Sequence, residues 1–266
     1  MTRRRLDLEM VRRGLVESRE IAQSLIASGK VLVAGAPALK SSRLVEASQP
    51  LKIIDSLPKY VSRAGGKLEA ALEEFEVDVT SKSCIDVGAS TGGFTDCLLQ
   101  HGAGSVLAID VGKGQMHEKI IADPRATVLE QTDVRSLEAE KIGAPFQILT
   151  ADLAFISLRT VMSELFSLVS KGSDMLLLVK PQFEAGKKEV DKGRGVISDP
   201  QIWEEVIWRV KDSINSYDAA IIECMPSPIK GSEGNVEFFL HVKPETTQVE
   251  VGVSEAISLA MQKSEG

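Results

Sequence analysis

The sequence predicts an α/β fold, in which helices wrap a mostly parallel, doubly wound sheet, with a small α+β unit placed before it. Seven short apolar runs alternate with helical patterns from about residue 82 onward, as is typical of such a sheet. A glycine-rich turn follows the first of these runs, where many α/β folds bind a ligand. The first sixty residues differ from the rest in both pattern and charge.

Two helices and a small sheet are predicted within those first sixty residues. A first helix ends at Gly14, and Ser18 can cap a second helix that ends at Gly29. Residues 30–37 are typical of a strand and a tight turn, and residues 51–55 of another strand. The apolar positions that define the helices are Leu6, Leu8, Met10, Val11, Leu15, Ile21, Ala22, Leu25 and Ile26.

The larger part of the chain is predicted to alternate strands with helices. The predicted strands are Cys84–Val87, Val106–Asp110, Thr127–Glu130, Ile148–Asp152, Met175–Val179, Ala219–Glu223 and Val236–Val242. The predicted helices are Phe94–Gln100, Leu158–Val169, Gln201–Ile214 and a C-terminal Glu255–Gln262.

The composition is that of an ordinary globular protein, with 43% hydrophobic and 26% charged residues among 266. The longest aliphatic stretch, Met175–Val179, is far below the roughly 18 residues that would span a bilayer. The basic N-terminus lacks the apolar core of a signal peptide, so we expect a cytoplasmic protein without a membrane partner. The three cysteines and three histidines show no spacing suited to a metal site or a disulfide framework.

Charge is distributed unevenly along the chain. Residues 1–60 hold seven arginines and four lysines against six acids, a net charge of +5. The whole chain carries −7, so the remaining 206 residues carry −12. A basic small unit beside an acidic larger one is a pattern of nucleic-acid binding, although a solvated basic face would produce the same charge.

The glycine-rich turn after the first predicted strand indicates a cofactor site, because glycines let the backbone approach a ligand closely. Its spacing is not the G-x-G-x-x-G of dinucleotide enzymes. Asp86 precedes the first glycine, where a carboxylate would repel a pyrophosphate and attract a cationic amino acid group. The sulfonium cofactor S-adenosylmethionine is therefore favoured over NAD. The candidate binding residues in this turn are Asp86, Gly88, Ser90, Gly92, Gly93 and Phe94.

Two further acids follow the next strands. Asp110 closes the second strand, where an acid commonly accepts hydrogen bonds from the two hydroxyls of an adenosine ribose. Asp133 follows the third strand and could meet the adenine amine. Either acid alone could be a loop or cap residue, but together at successive strand ends they favour S-adenosylmethionine.

The segments after the fourth and fifth strands bear on the methyl acceptor. The sequence TADLAFISL, residues 150–158, lacks the N/D-P-P-Y/F pattern of many enzymes that methylate base amines, and no cysteine stands beside it. Base methylation is therefore disfavoured. Lys180 follows a fully apolar strand, and a lysine placed there is costly unless it is paired or used.

The first sixty residues resemble a known RNA-binding module. RLD at residues 5–7 and SREIAQSLIASGKVLVAG at residues 18–35 are similar to the α-L module of pseudouridine synthases and of one ribosomal protein. The resemblance covers roughly residues 3 to 58 and implies that basic residues face a folded RNA. Those residues would be Arg4, Arg12, Arg13, Arg19 and Lys40. Contacts of this kind position an RNA without reading its sequence.

Five motifs in order resemble one enzyme family over nearly the whole chain. They are SRAGGKLEAAL (62–72), DVGASTGGFTD (86–96), TADLAFISL (150–158), LVKPQFE (178–184) and GNVEFFL (234–240). They resemble the TlyA-type ribosomal RNA methyltransferases, historically labelled hemolysins. The resemblance implies a Rossmann-like methyltransferase domain at residues 64–266, an RNA-binding domain at 1–58 and a linker at 59–63. Ala64, where the family has glycine, and Asp133, where it often has asparagine, depart from the pattern.

By that resemblance the catalytic set is Lys67, Asp152, Lys180 and Glu237, and the substrate is a cytidine ribose in ribosomal RNA or a ribosomal subunit. A ribose 2'-hydroxyl must lose its proton as it attacks a methyl group, and a neutral lysine amine can take that proton. Lys180 is the candidate base, and orienting the hydroxyl is the alternative role for it. Asp152 and Glu237 would hold the two lysines and the ribose in place.

Three other functions compete with this interpretation. A non-catalytic RNA-binding protein would keep the basic unit but would not need two lysines and two acids at strand ends. A pore-forming cytolysin would need a membrane-inserting segment, so the hemolysin label indicates an indirect effect. A pseudouridine synthase shares the N-terminal module but has no use for the glycine-rich turn.

Overall fold

The computed structural model describes residues 3–54, 59–193, 195–246 and 251–262. The chain forms two compact units, residues 1–63 and 64–266. The last residue of the predicted strand at 51–55 lies outside the described residues, as does the predicted domain boundary at residue 58.

The first unit packs two short helices on small strands. Its elements are β1 (Arg4–Arg5), α1 (Leu6–Arg12), α2 (Arg19–Ala27), β2 (Val31–Val33), β3 (Ala36–Pro37), β4 (Leu44–Val45) and β5 (Leu51–Ile53). β1 pairs with β4, and β2 lies between β3 and β5. Ser18 caps α2 as predicted, because its hydroxyl accepts a hydrogen bond from the backbone N–H of Ile21.

Fewer apolar residues of this unit are buried than the sequence pattern predicts. Leu6, Met10, Ala22 and Ile26 are fully buried, together with residues of the small sheet. Leu8, Leu15 and Ile21 are instead exposed. Two short helices bury only one stripe each against so small a sheet, so apolar residues off that stripe stay at the surface.

The second unit begins within α3 (Arg63–Glu74), a helix that was not predicted from the sequence. Two consecutive glycines, Gly65 and Gly66, lower its intrinsic helix propensity. Packing outweighs that cost, because Leu68, Ala71 and Leu72 are buried at helical spacing on one face. Lys67 is buried on the same helix.

A seven-stranded mixed sheet forms the centre of this unit, with the order β11-β12-β10-β9-β6-β7-β8. Its strands are β6 (Ser83–Val87), β7 (Ser105–Ile109), β8 (Ala126–Leu129), β9 (Phe146–Ala151), β10 (Val169–Val179), β11 (Ala219–Pro226) and β12 (Phe238–Pro244). β12 runs antiparallel to both of its neighbours, whereas β10, β9, β6, β7 and β8 are parallel. The predicted Rossmann-like α/β class is confirmed.

Helices connect these strands. They are α4 (Gly93–Gln100), α5 (Glu118–Ile121), α6 (Met162–Ser167), α7 (Pro181–Glu184), α8 (Lys187–Lys192), α9 (Pro200–Asn215) and α10 (Val253–Gln262), with short 3-10 helices at Val134–Ser136, Ala139–Ile142 and Leu158–Val161. The helix predicted at Leu158–Val169 is thus a 3-10 turn followed by the short α6, and Val169 is already in β10. Within the described residues, no helix has the length and apolar character needed to cross a membrane.

Candidate active site

The carboxyl ends of the parallel strands bring the predicted site residues together. β6, β7 and β9 are in register, with Val87 opposite both Ile109 and Ala151. Gly88, Asp110 and Asp152 each follow one of these aligned strand ends. Val179 pairs with Phe238 across β10 and β12, so Lys180 and Glu237 meet at the same edge of the sheet.

Two lysine–carboxylate pairs occupy this edge. The Lys67 amine lies 2.6 Å from Glu237 Oε2, and both side chains are buried. Lys180 forms an ion pair with Asp152, and little of either side chain is exposed. Burial raises the pKa of Glu237, and the positive charges of Lys67 and Lys180 partly oppose that shift. Because charges from both pairs act on one carboxyl, the four side chains form a single electrostatic cluster.

Glycines permit the close packing around this cluster. A Cβ at Gly231 would lie 2.6 Å from Glu237 Oε1, so a side chain there would force that carboxylate to move. A Cβ at Gly88 would lie 2.6 Å from the backbone oxygen of Asp152, and Gly88 also has a φ of +84°. The turn that carries Gly88 is therefore packed directly against the segment that carries Asp152.

A cavity of about 500 Å³ lies beside Asp152. Four of the predicted cofactor-binding residues line it, and they are Gly88, Ser90, Asp110 and Asp133. Apolar side chains, among them Val111, Leu153 and Ile156, make up much of the remaining wall. A cavity of this size with a few polar groups suits a ligand as large as a nucleoside derivative.

The carboxylate of Asp110 is oriented by backbone groups at the cavity wall. Its Oδ2 accepts a hydrogen bond from the Ser90 N–H at 2.8 Å, and its Oδ1 accepts one from the Gly112 N–H at 2.6 Å. Each carboxylate oxygen has a second lone pair, so both can still accept a ligand hydroxyl.

Four predicted cofactor contacts do not line the cavity. Gly92 packs against Met116 and Ile120, Gly93 begins α4, and Phe94 is buried and stacks on Phe239. The position of Asp86 also corrects the prediction. Asp86 lies within β6 and is fully buried, and its carboxylate accepts hydrogen bonds from the hydroxyls of Thr95 (2.7 Å) and Thr150 (3.0 Å).

Asp86 therefore connects α4 to β9 rather than facing a ligand. Burial raises its pKa to about 6, although the two threonine hydroxyls act in the opposite direction. Strand position alone indicates that Asp86 is near the turn, but its neighbours in the sheet decide where its side chain goes.

Asp133 lines the cavity with part of its hydrogen-bonding capacity already in use. Its side chain caps the 3-10 helix at Val134–Ser136 and forms a two-pronged ion pair with Arg135. The hydrogen bond from Arg135 lowers the Asp133 pKa to about 2. Asp133 therefore stays ionised, and Arg135 stands beside it on the cavity wall.

Comparison with known proteins identifies the family. Residues 60–243 match the FtsJ-like methyltransferase family, and residues 4–50 match the S4 domain. The chain is 42% identical to the 16S/23S rRNA (cytidine-2'-O)-methyltransferase TlyA of Mycobacterium tuberculosis, over 98% of both chains. The chain belongs to the TlyA family of methyltransferases. The resemblance predicted from the five motifs is confirmed.

Other proteins similar to this TlyA-family enzyme carry a different label. Hemolysin A of Brachyspira hyodysenteriae is 36% identical over 89% of this chain and 98% of its own. A solved structure from Streptococcus thermophilus, described as a hemolysin, has a TM-score of 0.78 at 34% identity and covers 100% of this chain and 98% of its own. A methyltransferase from Listeria monocytogenes, at 14% identity and a TM-score of 0.52, shares the fold alone.

In the S4 domain of this TlyA-family chain, most of the predicted RNA-binding arginines form ion pairs with two buried acids. Asp7 pairs with Arg19 and also with Arg5, which the sequence analysis did not single out. Glu9 pairs with Arg12 and Arg13. Arg13 also donates to the backbone oxygens of residues 46, 47 and 49, so most of its donors serve the fold.

The other predicted cations of this domain, Arg4 and Lys40, are exposed. Among the described residues, neither has an ion-pair partner. A shared buried acid fixes the direction of two guanidinium groups, which the charge pattern alone does not show.

Two further residues of this TlyA-family site were not predicted from the sequence. Phe155, three residues after Asp152, has a φ of +64° and is 92% exposed beside the cavity. Glu184 is buried and hydrogen-bonded to the segment that follows Asp152. Both residues lie within two of the motifs that indicate the family, and that is the signal the sequence carried for them. Their conformations and contacts depend on the fold.

Proposed function

We propose that this enzyme transfers a methyl group from S-adenosylmethionine to the ribose 2'-hydroxyl of a cytidine in ribosomal RNA. The observation that carries the proposal is the cluster of two ion pairs, Lys180–Asp152 and Lys67–Glu237, in which Asp152 also lines a nucleoside-sized cavity. The Mycobacterium tuberculosis relative, whose name states this reaction, supports it.

The cavity suits S-adenosylmethionine in size and in polar groups. Gly88 lets the backbone approach, and Asp110 offers its carboxylate to the ribose hydroxyls. Asp133 and Arg135 also line the cavity, and we assign the adenine to them. When bound, S-adenosylmethionine supplies an electrophilic methyl group on a positively charged sulfur, and the carboxylates of Asp110, Asp133 and Asp152 on the cavity wall complement that charge.

Lys180 is placed to handle the proton of the substrate hydroxyl. Once Lys180 has released its own proton to solvent, its neutral amine would take the hydroxyl proton as the ribose 2'-oxygen bonds to the methyl carbon and the methyl–sulfur bond breaks. Before that proton is released, the ion pair with Asp152 holds the Lys180 side chain next to the cavity that Asp152 lines. Proximity and alignment of this kind lower the barrier to methyl transfer, because the entropy cost of bringing the amine and the hydroxyl together is met before the chemical step.

Lys67 and Glu237 complete the site from a different helix and strand. Their pair is more deeply buried than Lys180–Asp152, which suits a fixed scaffold for the ribose. Removing either partner would leave the other charge buried without compensation.

Exposed features of the two domains suit an RNA substrate. The ring of Phe155 is nearly fully exposed beside the cavity, where a nucleobase could stack on it. In the S4 domain, Arg5 and Arg19 expose part of their guanidinium groups around Asp7, which suits contacts with phosphates.

The test is transfer of labelled methyl groups from S-adenosylmethionine to separated ribosomal subunits. The parent, Lys180→Ala and Lys171→Ala are compared, because Lys171 pairs with Glu245 on the surface and is a matched control. We expect label on a ribose 2'-oxygen with the parent and Lys171→Ala, and a loss of at least about 10²-fold with Lys180→Ala. Label on a base would refute the assignment of the acceptor. RNA binding without any transfer by the parent would support a non-catalytic RNA-binding protein.

A further inference from the structure

A buried carboxylate connects the two segments that follow the Lys180–Asp152 pair. Glu184 is the last residue of α7, which begins directly after Lys180, and only 4% of its surface is exposed. Its Oε1 accepts a hydrogen bond from the Leu158 N–H at 2.6 Å. Its Oε2 accepts from the Ser157 hydroxyl and from Arg159 Nε, the latter at 3.2 Å.

These contacts join two neighbouring strands beyond their ends. Asp152 follows β9 and is five residues before Ser157, whereas Lys180 follows β10 and is four residues before Glu184. β9 and β10 are parallel and paired, so the segments leave the sheet side by side. A second contact runs alongside, because the rings of Phe155 and Phe183 lie 5.3 Å apart between centroids.

The segment after Asp152 needs such support. Phe155 has a φ of +64°, in the left-handed region that a phenylalanine rarely adopts. Strained conformations persist only where surrounding contacts over-determine them. Leu153, Phe155 and Ile156 line the cavity, so relaxation of this segment would change both the cavity wall and the position of Asp152.

The donors around Glu184 match a carboxylate, which offers two acceptor oxygens and no donor. A backbone N–H, a hydroxyl and a guanidinium all point at Glu184, and the hydroxyl of Ser157 is itself fixed because it accepts from the Arg159 N–H. A glutamine would keep one acceptor oxygen and turn an NH₂ donor toward one of these donors.

We propose that Glu184 is a positioning residue for methyl transfer, which holds the Asp152 segment and the Lys180 segment in one fixed arrangement. It acts through Ser157, Leu158 and Arg159 and does not touch the reacting atoms. This inference rests on the proposed function, because positioning matters only if Lys180 and Asp152 carry the reaction.

The experiment compares Glu184→Ala, Glu184→Gln and Ser157→Ala with the parent, in methyl transfer to ribosomal subunits under single-turnover conditions. Glu205→Ala is the matched control, because Glu205 also pairs with an arginine but lies on the surface of α9. We expect the rate at saturation to fall about 10²-fold for Glu184→Ala, since displacements near 1 Å have that effect. The rate at saturation should fall roughly tenfold for Glu184→Gln and by less for Ser157→Ala, because each of these variants retains some of the hydrogen bonds around Glu184.

The KM for RNA and the folded fraction separate positioning from a general structural role. Positioning predicts that the rate per folded molecule falls, that the glutamine variant recovers part of it, and that the KM for RNA stays within about twofold of the parent. A rate per folded molecule within twofold of the parent, or a loss that only follows the unfolded fraction, would overturn the inference. If the parent itself transfers no methyl group to ribose, the proposed function fails before Glu184 is tested.

Discussion

Replacement of Gly88 by alanine tests whether the glycine-rich turn sets the position of Asp152. The new Cβ would lie 2.6 Å from the backbone oxygen of Asp152, whereas ordinary contact begins at 3.4 Å. The backbone at Asp152 must therefore move by about 0.8 Å, or the turn must move away from it. Because Asp152 holds Lys180, we expect a loss on the order of 10²-fold in the rate of methyl transfer.

The cost in stability has two parts that a control can separate. A left-handed φ costs an alanine on the order of 1 kcal/mol, and the steric overlap adds about 1–3 kcal/mol. Gly143 has a φ of +81°, close to the +84° of Gly88, and a Cβ there would meet nothing within 4 Å. Gly143→Ala should therefore lose only about 1 kcal/mol of unfolding free energy and keep full activity.

The assay is single-turnover methyl transfer at 25 °C, with urea unfolding of both variants and the parent. At that temperature both variants should remain folded, so the rates compare intact sites. If Gly88→Ala matches Gly143→Ala in rate and in stability, close approach to Asp152 is not the reason for glycine at this position, and the link between the turn and the catalytic pair is wrong.

Three further predictions concern the same domain. Glu237→Ala should lose about 3–5 kcal/mol of unfolding free energy, because Lys67 is left buried and unpaired. The double variant Lys67→Met/Glu237→Leu should regain most of that stability and stay inactive. Equal stability of the single and double variants in urea unfolding would contradict this prediction. Burial raises the pKa of Asp86 to about 6, so the folded state is most stable while Asp86 is protonated. The stability of the parent relative to Asp86→Asn should therefore fall by roughly 2 kcal/mol between pH 4 and pH 6.5, as Asp86 loses its proton in the folded state. Parallel pH profiles of unfolding would argue against a raised pKa. Phe155→Ala should keep the melting temperature within about 1 °C of the parent, since the Phe155 ring is 92% exposed. It should reduce kcat/KM for RNA by roughly 5- to 150-fold, the contribution of one base stacked on an aromatic ring. An unchanged kcat/KM would exclude stacking of a nucleobase on Phe155.

The order and type of most elements could be predicted from the sequence, because periodicity and glycine turns are local properties. All seven strands of the large sheet were predicted to within a few residues, apart from the early start of β10 at Val169. The helix α3 was not predicted although Leu68, Ala71 and Leu72 stand at helical spacing, because the two consecutive glycines near its start weaken the local helical signal. The short α5, α7 and α8 were also missed, and each is only about one or two turns long.

Long-range contacts decided which site residues do what. The sequence places Lys67 and Glu237 170 positions apart, and only sheet register and the packing of α3 bring them to 2.6 Å. Asp86 has the same local signal as a ligand contact, yet Thr95 and Thr150 take its carboxylate inside the fold. Local pattern cannot separate these outcomes, since both depend on which strands and helices become neighbours.

By itself, then, the sequence determined the α/β class, the family and the sheet edge at which the chemistry is placed, because periodicity, glycine spacing and motif order are written along the chain. The tertiary structure decided which lysine pairs with which acid, which arginines share the buried Asp7, and that Glu184 connects the Asp152 and Lys180 segments. The physical reason is that hydrogen bonds and ion pairs depend on distance in space, and distance in space is set by packing across the whole domain.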